Sequence, residues 1–275
     1  MVARVTAATA RLNDIALAST AARADRYDRL DAWRGIAIVW MACFHFSFDL
    51  NLPEVGGWLH PPQSFYADPF WTGQRFCIVS MFLLGAGAGQ AVAIHLGQTW
   101  ARFRRRWIQV AGCALLVSLG SALMFPRSWI SFGVLHGLAV MLLALRLVGT
   151  RLPPARVARS PLGFALLAAV GAAAWLLPHV VRDRFFDTRW TDWIGLVTRL
   201  PVTEDYVPVL PWLGMMLAGY LAASLLLVHA RAAFTGPVPA VVRPLSVLGR
   251  WSLSFYMLHQ PILIGSLLAF HWAIT

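Results

Sequence analysis

Apolar residues gather into seven runs, near 31–51, 71–95, 107–126, 129–149, 161–180, 206–229 and 247–273, with arginine-, proline- and glycine-rich segments between them. Each run approaches the roughly 20 residues that a helix needs to cross a hydrocarbon core of roughly 30 Å. The pattern predicts an all-α integral membrane protein, a bundle of about seven transmembrane helices. The run at 161–180 is rich in Ala and Gly, has no polar group at mid-helix and reads as packing material. Between residues 181 and 205, Phe186, Trp190, Trp193, Ile194, Val197 and Leu200 recur at helical spacing. They predict a short amphipathic helix lying on the outer surface before the sixth span. Pro208 and Pro211 then suit a helix start or an irregular first turn.

The breaks in the apolar pattern carry the chemistry. The first run, DAWRGIAIVWMACFHFSFDLN, holds Asp31, Arg34, His45 and Asp49. On a helix Arg34 and His45 lie within about 20° of each other and roughly 16 Å apart along the axis, with Asp49 one turn further on. Ionisable groups at membrane depth are costly, so they turn into a bundle and mark functional sites. Snorkelling to the interface explains Arg34 on its own but fits His45 with Asp49 less well. Arg75, His136, Asp205 and His259, with Tyr256 beside His259, fall at similar depth in the middle or outer half of the membrane. Several such groups on separate helices predict a shared, outward-opening cavity. Asp49 and Asp205 are the acidic groups nearest Arg75 in depth. Gly85, Gly87 and Gly89 give the second span a face for close packing, within one subunit or in a homo-oligomer.

Composition agrees with the bilayer assignment. Hydrophobic residues make up 59% of 275 and charged residues 13%, with a mean hydropathy of +0.64. All 23 basic residues are arginine, and the formal charge is +11. That balance suggests nucleic acid until the arginines are mapped. Seventeen of the 23 fall on segments that are internal if the amino terminus is cytoplasmic, which predicts an N-in, C-out topology with no nucleic-acid partner. Residues 1–29 have no continuous apolar core, so they are expected to form a cytoplasmic tail rather than a cleavable signal peptide, leaving 30–275 as the membrane domain. Cys43, Cys77 and Cys113 lie on three different runs without CxxC spacing, and no metal site is expected.

The segments LDAWRGIAIVWMACFH, FLLGAGAG, ISFGVLHGL, DYVPVLPWLG and LSFYMLHQP, in this order, resemble bacterial members of the heparan-alpha-glucosaminide N-acetyltransferase catalytic-domain family. The resemblance covers nearly the whole chain from about residue 27. The spacing from Arg34 to His45 is also similar to the Arg-x10-His motif of acyltransferase family three. Membership implies transfer of an acetyl or other acyl group from coenzyme A to a sugar across the membrane, with acetyl-CoA as co-substrate, no haem, and residence in the bacterial inner membrane. Lysosomal members carry a WNG-like segment after their catalytic histidine in the first outer loop. Here that loop has His60 followed by prolines, and His45 ranks above His60 as the catalytic candidate. On this basis His45, Asp49, His259 and Arg75 are the expected catalytic groups. Arg34, Arg102, Arg104, Arg105 and Arg106 are expected to hold the donor's phosphates at the cytoplasmic face, and His136, Asp205, Tyr256 and His60 the acceptor. Two other classes compete. A proton-coupled transporter would also bury His and Asp, but the seven runs show no convincing inverted repeat. A haem carrier would need axial histidines, and only His259 and His271 have suggestive spacing.

Overall fold

The computed structural model describes residues 27–236 and 238–274. The expected cytoplasmic tail lies almost wholly outside them. Among the described residues all regular structure is helical: α1 (Asp28–Leu50), α2 (Pro69–His95), α3 (Trp100–Met124), α4 (Val134–Arg151), α5 (Pro154–Arg159), α6 (Pro161–Val180), α7 (Val209–His229), α8 (Arg231–Phe234), α9 (Arg243–Arg250) and α10 (Ser252–Ile274). The long helices start where local chemistry supplies a cap. Asp68 accepts the Phe70 N–H at 2.8 Å ahead of Pro69, and Ser160 accepts the Gly163 N–H at 3.1 Å ahead of Pro161. These bonds satisfy amides that the first helical turn leaves without a partner.

Helices α2 and α7 form the centre of the bundle. They approach closely because Gly87 faces the Met216 carbonyl and Gly219 faces the Leu84 carbonyl, at positions where a Cβ would overlap backbone. Around this pair Leu83, Met141, Leu145, Met216 and Tyr220 are fully buried. Helix α6 packs on α7, α4 on α2, and α3 on α4. Helix α1 lies against α2, with the short α9 and the long α10 along its other sides. Gly35 and Gly249 let α1 and α9 meet backbone to backbone.

Six helices, α2, α3, α4, α6, α7 and α10, are long and apolar enough to cross a membrane. Helix α1 has 23 residues, a rise of about 34 Å. It has the length of a span, but its charged residues keep it out of that apolar set.

Two expectations need correction. Residues 181–205 do not form an amphipathic helix: they contain only two single 3-10 turns, Arg184–Phe186 and Asp192–Ile194, within irregular chain. Short polar side chains compete with the helix for backbone donors. Asp183 accepts the Phe185 N–H, while Asp187 accepts from the backbone and hydroxyl of Thr198. Gly195, at φ +100°, then turns the chain. Trp190 and Leu200 consequently stay exposed while Asp192 and Leu196 are buried. The second correction concerns the third span, expected from residue 107: its helix α3 begins at Trp100, so Arg102, Arg104, Arg105 and Arg106 lie in its first two turns. At the start of α7, Leu210 is non-helical (φ −99°, ψ 130°), so of the two outcomes that Pro208 and Pro211 suit, a plain helix start or an irregular first turn, the second is found.

Candidate active site

Because α1 is continuous from Asp28 to Leu50, its polar stripe is preserved. Arg34 sits near one end, with His45 and Asp49 near the other. The His45 ring faces His259 of α10, with ring centroids 5.1 Å apart. Asp49 is fully buried and accepts a 2.6 Å hydrogen bond from the Gln260 carboxamide. Its second oxygen has no partner among the described residues. The carboxylate is thus held by α10 rather than by the imidazole one turn away.

On α10, Tyr256, His259 and Gln260 share one face, three and four residues apart. The His259 Nδ1 lies 2.7 Å from the Tyr256 carbonyl, and its ring stacks on Phe255 at 6.0 Å and 7°. From α2, Arg75 sits over the Tyr66 ring at 5.8 Å, and its charge reaches both His45 and Asp205. Asp205 lies in the outer connection, where it accepts the Val134 N–H at 2.7 Å. Gly133 makes room for it, since a Cβ there would collide with the carboxylate. Desolvation pushes the Asp205 carboxyl above the ordinary carboxylate range, opposed by the Arg75 charge. The charge of Asp205 is also felt at Tyr256 and His136.

Seven residues singled out from sequence therefore converge: His45, Asp49, Arg75, His136, Asp205, Tyr256 and His259. His136 has a structural job within that group. Its Nδ1 accepts the Gly133 N–H at 3.2 Å, and its Nε2 pairs with the Ser118 hydroxyl at 3.1 Å. Both ring nitrogens are engaged at the start of α4. His60 stands apart, exposed in the loop between α1 and α2. Two groups were not among the site residues expected from sequence. Gln260 anchors Asp49, and Glu204 joins two outer loops by accepting from Tyr66 at 2.8 Å and Ser128 at 2.5 Å. Their only sequence signal is adjacency to His259 and Asp205.

The family model described as heparan-alpha-glucosaminide N-acetyltransferase, catalytic, matches residues 26–261. The chain belongs to that family. No curated protein and no solved structure matches it. The matched stretch contains every residue of the cluster and ends just beyond Gln260. Membership in this acetyltransferase family makes the chain a membrane protein of the transferase class.

At the other end of α1, this heparan-alpha-glucosaminide N-acetyltransferase family member carries a second polar group. The Arg34 guanidinium is 3.0 Å from Asp31 and donates to the Gly85 carbonyl at 3.4 Å. It occupies the space that Gly89 leaves on α2, while Trp33 packs at Gly85 and donates to the Met81 carbonyl at 2.9 Å. The glycine face of α2 is therefore divided: Gly87 seats α7, and Gly85 and Gly89 seat the first arginine of the stripe. Arg106 lies near enough for its charge to act on Arg34, and Arg250 near enough to act on Asp31. Arg102, Arg104 and Arg105 are exposed, and Arg104 borders a cavity of about 370 Å³ lined by Trp100, Phe103 and Trp107.

Proposed function

We propose that the protein moves an acetyl or other short acyl group from cytoplasmic acyl-CoA to a sugar amine or hydroxyl at the outer face of a bacterial inner membrane. In this reading α1 is a seventh span, with its amino-terminal end inside. The observation that carries it is the pairing of His45 with His259 at one end of α1 and of Arg34 with a basic surround at the other. The roughly 16 Å between Arg34 and His45 suits an extended pantetheine arm. Arg34 and Arg106, with Arg102, Arg104 and Arg105 around them, would hold the polyanionic nucleotide end.

His45 takes the proton from the acceptor N–H or O–H as that atom bonds to the thioester carbonyl carbon. Negative charge develops on the carbonyl oxygen, and Arg75 is the cation placed to stabilise it. The carbon–sulfur bond then breaks, and the departing thiolate takes the proton from His45, leaving coenzyme A as the thiol. Asp205 and Tyr256 border the acceptor side. Asp49, held by Gln260, adds a buried carboxylate one turn beyond His45.

The test is mass spectrometry of products after purified protein meets labelled acetyl-CoA and a panel of aminosugars. Transfer is expected in the wild type, with a loss of at least about 100-fold in His45→Ala, the scale of a missing general base. No transfer to any acceptor, with no donor binding, would refute the assignment. Full activity in His45→Ala would move the chemistry to another residue.

A further inference from the structure

His259 is buried (8% exposed), yet one of its ring nitrogens has no partner among the described residues. The other nitrogen decides what that orphan is. Nδ1 lies 2.7 Å from the Tyr256 carbonyl oxygen. A carbonyl oxygen can only accept, so Nδ1 carries the proton and donates it. In a neutral imidazole one nitrogen is a donor and the other an acceptor. Nε2 is therefore a bare, buried lone pair. A buried acceptor left unmatched has lost its hydration with nothing in return, so a donor is expected opposite it.

His45 is the polar ring beside it. The two centroids are 5.1 Å apart. That separation is what an edge-to-edge N–H···N bond produces, because each nitrogen lies roughly 1.2 Å from its ring centre and the bond itself spans roughly 2.8 Å. A half-turn of the His45 ring about Cβ–Cγ exchanges nitrogen for carbon without changing the ring's outline. The stack of His259 on Phe255 at 7° and its bond to Tyr256 fix its plane. His259 is thus the rigid member of the pair.

We propose that His259 is the positioning residue of this site: its Nε2 accepts the N–H of His45 and so fixes which His45 nitrogen presents a lone pair to the acceptor. The role follows a general pattern, in which the hydrogen bond made by one ring nitrogen sets the state of the other. When His45 takes the acceptor's proton, it keeps the N–H held by His259, and the proton it later gives to the thiolate comes from the free side. His259 exchanges no proton in the cycle. The proposal rests on the acyl-transfer reading for its consequence, but the tautomer it assigns does not.

The experiment has two arms. Nitrogen NMR of histidine-labelled protein, assigned with His259→Gln and His45→Gln, should show His259 protonated at Nδ1 and bare at Nε2. The His45 resonances should shift when His259 is replaced. A His259 protonated at Nε2, or His45 resonances indifferent to the substitution, overturns the proposal. In the kinetic arm His259→Leu should lower kcat about 100-fold with KM for acetyl-CoA unchanged. His259→Gln should recover most of that loss, because the carboxamide oxygen can accept the same N–H. Equal losses in Leu and Gln, or no loss in Leu, overturns it. A wild-type protein that transfers no acyl group would refute the functional reading and leave the NMR arm to decide the tautomer.

Discussion

Asp187 illustrates how one side chain overrides a helical pattern. Its carboxylate accepts from the Thr198 hydroxyl at 2.6 Å and the Thr198 amide at 2.7 Å, closing the chain on itself across a separation of eleven residues. The side-chain bond from Thr198 holds the Asp187 carboxyl below its ordinary range. Because the folded value is depressed, the contribution to loop order is present above the unfolded carboxylate value and is lost as pH falls through the folded one. The protection factor for hydrogen exchange at Thr198 and Arg199, the rate relative to an unstructured chain at the same pH, is therefore expected to fall on acidification through and below the carboxylate range. In Asp187→Ala it should be low throughout. Protection that is indifferent to acid would show that the loop is held by other contacts. The same scale shows what holds His136 in place: Gly133 and Ser118 are found on its two ring nitrogens.

Among the elements, α2 is joined to α7 and to α1 by what glycine leaves out. Gly87 lies where a methyl would overlap the Met216 carbonyl, whereas nothing lies within 4 Å of a Cβ built at Gly112 in α3. Backbone cannot step aside as a flexible side chain can. Gly87→Ala is expected to destabilise the bundle by about 1–3 kcal/mol, the range of overpacked cores. Gly112→Ala should leave stability unchanged or raise it by up to about 1 kcal/mol, the helix-propensity difference. Thermal unfolding in detergent compares the two, and equal midpoints would mean that α2 and α7 are less tightly joined than their backbones indicate. Gly89 differs from both, because the atom it would meet belongs to the Arg34 side chain. Its effect should appear in the first arginine of the stripe before it appears in stability.

For the whole molecule, the arrangement separates a basic end from an end rich in His, Asp and aromatic groups. The proposed orientation puts the loop carrying His60 outside and the segment carrying Arg156 inside. In a chain with Cys43, Cys77 and Cys113 replaced by alanine, a single cysteine at His60 is expected to react with a membrane-impermeant maleimide on intact cells. A cysteine at Arg156 should react only after permeabilisation. The reverse pattern would invert the topology and place the proposed donor site on the wrong side. Labelling of both positions from outside would remove one of α2, α3 and α4, the long helices between them, from the set of spans.

The sequence by itself determined the long helices, because apolar length is a local property that a bilayer or a bundle reads directly. It also predicted that His45, Asp49, Arg75, His136, Asp205 and His259, with Tyr256 beside the last, fall at similar depth, from the fixed rise per residue of a helix. It could not determine partners. Whether Asp49 meets His45 or Gln260, whether Gly85 and Gly89 seat a helix or an arginine, and whether residues 181–205 wind or turn depend on contacts between residues far apart in the chain, or on side chains that take backbone donors from a helix. Those choices are made by packing, which sets one neighbour against another at distances that no local pattern encodes.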